Sequence, residues 1–166
     1  MIRVYLSLGS NVDRYRHLTS ALNVLHDHFG HLQLSPVYES EAVGFEGDHF
    51  LNLVVMVEVP ISCGQLSRLL KTIEDHHGRD RSAARFSART LDIDILTYGD
   101  AVGEVDGIVL PRAEILTNAF VLKPLADLAA TAVHPAEGIS YAELWRRYDQ
   151  SRQLLWPVEF NWSQDL

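Results

Sequence analysis

Asn52-Leu53-Val54-Val55-Met56-Val57-Glu58-Val59 is apolar on both faces, with Leu53, Val55 and Val57 on one and Val54 and Met56 on the other. A strand with two apolar faces belongs in the middle of a sheet, covered from both sides. Pro60 ends it. Downstream, Ser62 predicts the cap of a helix whose Leu66, Leu69, Leu70 and Ile73 recur at i, i+3, i+4 and i+7. Upstream, Leu32 to about Ser40 reads as a strand, with Pro36 marking an edge or a bulge. Residues 41–49 are polar and glycine-rich and read as a loop. Further out, Val4, Leu6 and Leu8 alternate with Arg3, Tyr5 and Ser7, a strand that Gly9-Ser10-Asn11 ends. Asp13 is the expected N-cap of a helix with Leu18, Leu22, Leu25 and Phe29 on one face, stopped by Gly30. Beyond a pattern-free stretch from Gly78 to Thr90, Leu91 to Tyr98 is a strand that turns at Gly99-Asp100. Residues 102–110 suggest a hairpin around Gly103 and Gly107, and Pro111 to Asn118 a loop. Residues 119–130 suggest a helical stretch interrupted by Pro124, and Tyr141 to Arg147 a final helix. The order β-α-β-β-α-β predicts an α+β fold, a ferredoxin-like βαββαβ core. It is an antiparallel sheet with helices packed on it, followed by extra C-terminal elements.

The 166 residues read as a single domain, 1–166, with no repeat or linker. Lys and Arg number 14 and Asp and Glu 22, a net charge of −8. That balance argues against a general nucleic-acid binder and against an anionic membrane surface as partner. One cysteine, Cys63, excludes an internal disulfide and the Cys-based zinc sites. The start of the chain does not read as a signal peptide, and no stretch nears the roughly 20 apolar residues of a membrane span. The expectation is a cytoplasmic protein. His26 and His28, and His76-His77, lack the i, i+4 spacing of a helical zinc site; His76-His77 reads as a complement to a helix dipole. Gly9-Ser10-Asn11 is too short for a phosphate loop and has no Walker lysine.

The chemistry concentrates in Leu91-Asp92-Ile93-Asp94-Ile95-Leu96. On a strand Asp92 and Asp94 share one face and Leu91, Ile93 and Ile95 the other. Two carboxylates roughly 6 Å apart repel by about 3 kcal/mol at an effective dielectric near 20. A hard cation such as Mg²⁺, its shell completed by phosphate oxygens, removes that cost. The alternative is a pair of aspartates facing water. Arg79, Arg81, Arg85 and Arg89 lie within 11 residues just before them. Guanidiniums beside an anionic metal site suit triphosphate chemistry; the alternative is a solvated loop. Phe50 and Asn52, two apart, and Phe120 are candidates to hold a flat heterocycle by stacking and paired hydrogen bonds, the alternative being ordinary packing.

Arg89-Thr90-Leu91-Asp92-Ile93-Asp94-Ile95-Leu96, preceded by the arginine loop, resembles the signature of the 6-hydroxymethyl-7,8-dihydropterin pyrophosphokinase family of folate biosynthesis. Tyr5 to Asn11, Phe50-Leu51-Asn52, Ile73-Glu74 with Gly78-Arg79, and Ala119 to Leu122 with Pro124-Leu125 match in the same order, over about residues 3–135. The resemblance implies that ATP donates its terminal pyrophosphoryl group to the hydroxymethyl oxygen of the dihydropterin, the β-phosphorus being attacked and AMP leaving. It implies that Asp92 and Asp94 hold two Mg²⁺ ions. Arg79 and Arg89 would bind phosphates, Arg81 and Arg85 assisting. Glu74 would border the nucleotide, and Ile95, Ile108 and Val109 would lie near adenine and ribose. Phe50 and Phe120 would sandwich the pterin, with Asn52 and the backbone around Ser40, Val43 and Gly44 on its edge. The implied partners are thus ATP and a dihydropterin, with no nucleic acid and no membrane.

Some positions depart from the pattern. The usual His and Arg after Pro111 read Arg112 and Asn118, Arg112 taking over part of the charge on ATP. Phe86 stands for a tryptophan, Ser87-Ala88 for Gly-Pro, and Phe50 lacks an aromatic hydroxyl. Two alternatives follow: a divergent member that binds a pterin or nucleotide with weak or altered transfer, and a ferredoxin-like binding module without chemistry. The tail, about residues 148–166, falls outside the resemblance and carries Leu154, Leu155, Trp156, Phe160 and Trp162. So much apolar area calls for cover. It packs either on its own domain or in a homo-oligomer contact, leaving a monomer or a homo-oligomer.

Overall fold

The computed structural model describes residues 1–41, 48–77 and 91–164. The chain runs β1 (Ile2–Ser10), α1 (Arg14–Phe29), β2 (Gln33–Leu34), β3 (Val37–Ser40), β4 (Phe50–Val59), α2 (Cys63–His76), β5 (Asp92–Tyr98), β6 (Gly103–Val105), β7 (Ile108–Leu110), α3 (Glu114–Thr117), α4 (Ala119–Leu128), α5 (Tyr141–Arg147) and β8 (Leu155–Val158). The main sheet has the order β5-β1-β4-β3-β8, each strand antiparallel to its neighbours, with β2 also on β4. The doubly apolar strand β4 lies inside it, and the βαββαβ expectation holds.

Both faces are covered. On one, Val4, Leu6, Leu8, Leu53, Val55, Val57, Ile93 and Ile95 pack with Leu18, Leu22 and Leu25 of α1 and Leu66, Leu70 and Ile73 of α2. On the other, Tyr5, Val54, Met56 and Leu96 pack with Val121, Leu122 and Leu125 of α4 and Tyr141 of α5. Ser62 caps α2 through a full capping box with Gln65, and the adjoining Cys63 is buried. The β6–β7 hairpin turns through Asp106 and Gly107, both at positive φ, the pair of left-handed residues a tight two-residue hairpin favours.

Several local expectations are corrected. Asp13 stands at the N-cap of α1 with no side-chain cap bond; its carboxylate instead takes the Arg16 guanidinium at 2.5 Å. The stretch 32–40 is two strands broken at Ser35-Pro36. There the Ser35 N–H donates to the Val54 carbonyl and the Ser35 hydroxyl accepts the Val54 N–H, both at 2.9 Å, so Val54 of β4 keeps both backbone partners beside a proline that has no N–H to give. Residues 111–118 contain α3, pinned by the buried Ile115. α4 runs straight through Pro124. Burial of Val121, Leu122, Pro124 and Leu125 outweighs the roughly 3 kcal/mol that an interior proline costs. His77 meets His17 of α1, Nδ1 to Nδ1 at 2.5 Å, and burial lowers both imidazole pKa values.

The tail packs on its own domain. β8 adds to β3, Phe160 stacks on Tyr15 with ring centres 5.7 Å apart, and the Trp162 indole donates to Asn23. The Gln164 amide closes both hydrogen bonds with the Leu32 backbone. No helix among the described residues is long and apolar enough to cross a membrane.

Candidate active site

Strand alternation builds the site. Asp92 lies opposite Gly9 and Asp94 opposite Ser7, and Gly9 in turn lies opposite Asn52 and Asn52 opposite Tyr38. Asp92, Asp94, Ser7, Gly9, Phe50 and Asn52 therefore share the face that carries α4. Gly9 has a specific reason to be glycine: a Cβ there would stand 2.5 Å from Asn52 Oδ1. The absent side chain is the space in which the Asn52 amide lies. Just past the aspartates the register shifts, Leu6 pairing with Ile95 and Tyr5 with Thr97, so Leu96 is an extra residue. Bulges of this kind redirect backbone groups beside functional sites. Here the Leu96 carbonyl accepts the Arg112 N–H at 2.9 Å and fixes Arg112 next to the aspartates.

The electrostatics are those of an under-compensated pair. Burial, then the neighbouring Asp92, pushes the Asp94 carboxyl up to about 7; Arg112 opposes the shift and Glu74 adds to it. The Arg112 guanidinium stands 3.5 Å from Asp94 and also pairs with Glu114. Glu74 is buried on α2, and its carboxylate accepts the Ile93 N–H at 2.9 Å, holding β5 by the backbone between the two aspartates. Among the described residues no group of three His, Cys, Asp or Glu side chains gathers to hold a metal. Asp92 and Asp94 thus fit a cation that takes part of its shell from elsewhere, as Mg²⁺ does with phosphates and water.

The other end of the face is built from β3, β4 and α4. Ser40 is buried and lies opposite Phe50. Phe120, in the first turn of α4, is half-buried against the cluster under that helix. Tyr38 donates its hydroxyl to Asp127 and ties α4 to β3; burial and that bond raise its pKa. Beyond the end of β1, Arg14 pairs with Glu39 at 3.3 Å and His49 with Glu39 at 2.9 Å, while Asn11 donates to the Asp48 carbonyl. Asn11, Arg14, Glu39 and His49 help line a cleft of about 470 Å³. A second cleft, about 650 Å³, runs along α1 and α2 past His17 and His77. Neither is lined by Asp92 or Asp94.

The structure thus brings together Asp92, Asp94, Glu74 and Arg112 at one end, and Ser40, Phe50, Asn52 and Phe120 on β3, β4 and α4. Ile95 is buried in the opposite core, so it faces the site with its backbone alone. Ile108 packs against that same core and the Val109 side chain is exposed, on a strand that touches β5. Arg79, Arg81, Arg85, Arg89, Val43 and Gly44 lie outside the described residues, as do Phe86 and Ser87-Ala88. Sequence reasoning missed the packing role of Gly9, the Tyr38–Asp127 tie and Gln153 of the tail. The Lys123/Asp127 spacing of i, i+4 was the one local sign of Asp127; Gln153 has none.

The family described as 7,8-dihydro-6-hydroxymethylpterin-pyrophosphokinase matches residues 5–130. The chain is 34% identical over 128 residues to the 2-amino-4-hydroxy-6-hydroxymethyldihydropteridine pyrophosphokinase of Bacillus subtilis, covering 75% of this chain and 76% of that one. It is 34% identical over 137 residues to the like-named protein of Aquifex aeolicus, covering 81% and 85%. It is 36% identical over 135 residues to folic acid synthesis protein fol1 of Schizosaccharomyces pombe, where 79% of this chain spans 18% of the relative's length. Among solved structures, wild-type Plasmodium falciparum HPPK-DHPS with pteroate superposes with a TM-score of 0.68 at 14% identity, over 91% of this chain and 43% of that one. At that identity the likeness is one of fold.

Proposed function

The chain belongs to the 7,8-dihydro-6-hydroxymethylpterin-pyrophosphokinase family, and we propose that the Asp92–Asp94 face carries that family's reaction. The enzyme is an ATP-dependent diphosphotransferase of folate synthesis. The hydroxymethyl oxygen of 6-hydroxymethyl-7,8-dihydropterin bonds to the β-phosphorus of ATP, the bond from that phosphorus to the α-phosphate oxygen breaks, and AMP leaves. The observation that carries the assignment to this face is the aspartate pair itself. Two carboxylates share one strand face, and burial, then the neighbouring Asp92, pushes the Asp94 carboxyl up to about 7 against the opposing pull of Arg112.

Each residue then has a task. Asp92 and Asp94 hold Mg²⁺, two ions in this reading, with the nucleotide phosphates. Bound there, Mg²⁺ supplies charge neutralisation for the transferring group. Glu74 fixes the backbone between the aspartates. Arg112, its backbone anchored on the bulge and its guanidinium beside Asp94, adds a further positive charge for the phosphates. Arg79 and Arg89, with Arg81 and Arg85, take up phosphate charge as it moves toward the leaving AMP. Ile95, Ile108 and Val109 offer backbone to the adenosine. Phe50 and Phe120 take the pterin between them, and Asn52, held over Gly9, hydrogen-bonds its edge with help from the backbone of Ser40, Val43 and Gly44. Stacking and edge-on hydrogen bonds suffice to select a flat polar heterocycle.

AMP release from Mg²⁺-ATP, with and without the dihydropterin, tests the proposal in wild type beside Asp94→Ala. Pterin-dependent AMP in wild type, reduced on the order of 10³-fold in Asp94→Ala, is the expected result. AMP formation that ignores either the pterin or Asp94 would overturn it. The Arg112 contact with Glu114 favours a second reading, a member with altered turnover. Tight nucleotide binding by a folded wild type that forms no AMP from this pterin would decide for it.

A further inference from the structure

The start of α4 is capped from the tail. Asn118 occupies the N-cap position, yet its side chain makes no capping bond to the helix. A helix start leaves backbone N–H groups without intrahelical partners, and one in a buried place needs a substitute. Ala119 is fully buried, and its N–H is taken by Gln153 Oε1 at 2.8 Å, across 34 residues of chain. The other half of the same amide, Gln153 Nε2, donates to Asn118 Oδ1 at 3.3 Å. One side chain therefore grips two successive residues. Tyr148, also from the tail, donates its hydroxyl to the Thr117 carbonyl at 2.9 Å.

Two features make this more than a cap. The next residue after Ala119 is Phe120. Two residues after Gln153 the chain enters β8, where Leu155 lies opposite Ser40 and Ser40 lies opposite Phe50. The tail is thus a short strap with one end on the start of α4 and the other on β3. It sets the spacing between the helix that carries Phe120 and the strands that carry Ser40, Phe50 and Asn52.

We propose that Gln153 is a positioning residue for the pterin: by holding Ala119 it fixes where Phe120 stands relative to β4. The proposal rests on the reading of this face as a pterin pyrophosphokinase site. The aspartate end does not depend on Gln153, because Arg112 is held by the Leu96 carbonyl and Glu74 by the Ile93 N–H. A plain stability cap would lower melting temperature and leave the ratio of the two substrate affinities alone. A positioning residue moves one affinity and not the other.

The test uses the full chain with Gln153→Ala and Gln153→Glu. Calorimetry gives the pterin dissociation constant, AMP release gives both KM values, and thermal unfolding is followed alongside. Gln153→Ala should weaken pterin binding about fivefold to tenfold, the size of a lost helix cap, with the ATP KM within about twofold. Gln153→Glu keeps an acceptor for the Ala119 N–H and should recover most of the loss. Unchanged pterin affinity in Gln153→Ala, or equal losses for both substrates, overturns the proposal while an active wild type leaves the parent reading standing. A wild type that neither binds the pterin nor releases AMP with it overturns both.

Discussion

The two faces of the sheet are made from the same strands and behave differently. Toward α1 and α2 the strands are apolar from end to end, Val4 through Leu8, Leu51 through Val59, Leu91 through Ile95. Toward α4 the apolar run covers Tyr5, Val54, Met56 and Leu96 and then gives way to Ser7, Gly9, Asn52, Asp92 and Asp94. The candidate site lies where this apolar run gives way to polar side chains. Because successive side chains on β5 alternate, the core and the candidate site draw on neighbouring residues: Ile93 is core, while Asp92 and Asp94 are half-buried on the other side. A fold can vary one face without loosening the other.

The sharpest way to break this contrast is to change neighbours on β5. Asp92→Ala should cut AMP formation on the order of 10³-fold while the protein stays folded, since it removes a repelling charge. Ile93→Ala should do the reverse, costing about 2–5 kcal/mol of stability through the cavity it opens. Turnover per folded molecule would change little. Thermal unfolding and the AMP assay on both variants check it, and equal behaviour of the two would end the division of labour between faces.

Gly9→Ala probes the polar face more finely. Its Cβ would push the Asn52 amide aside. The expected result is a pterin KM about tenfold higher, with the ATP KM nearly unchanged, from one lost buried hydrogen-bonding group. An unaffected pterin KM would remove Asn52 from the site.

The smallest expected effect is a pH dependence. Asp94 titrates near 7 in the folded, metal-free protein and near 4 when unfolded. Between those values the folded state holds the extra proton, so stability falls as pH rises and reaches its lower level above 7. Asp94→Asn should therefore raise metal-free stability at pH 8 by about 1–2 kcal/mol, allowing for solvent around the carboxyl, and by almost nothing at pH 4. Urea unfolding in a chelator at both pH values measures it. A gain of equal size at both would assign it to packing and not to charge.

What the amino-acid order shows follows from how local each cause is. The alternation in β1, β4 and β5, the Ser62 cap and the aspartate pair are read from residues two to four apart, and all appear where expected. Pro124 misleads because the burial that carries α4 past it comes from β4, far away in sequence. Asp13 takes the N-cap position expected of it, but its left-handed backbone makes no side-chain cap bond and its carboxylate meets Arg16 instead. Ser35 replacing a ladder bond, Gly9 making room for Asn52 and Gln153 capping Ala119 all join distant segments. None of them leaves a periodic trace. The tail's apolar residues called for cover and find part of it on their own domain: Leu155, Phe160 and Trp162 are partly buried, while Leu154 and Trp156 stay exposed.

The pairing of β5 with β1 has a bearing on how the protein comes into being. Asp92 and Asp94 meet Gly9 and Ser7 only after the chain has been made from its first strand to its fifth, and Ala119 finds its cap only when residue 153 has followed. Such long closures form late, since their entropy is lost before any contact repays it. A nascent chain can bury Leu6 against Val55 before Asp92 and Asp94 have taken their places beside β1. The face that carries Asp92 and Asp94 is therefore assembled from segments far apart in sequence, and its last contacts close late in folding.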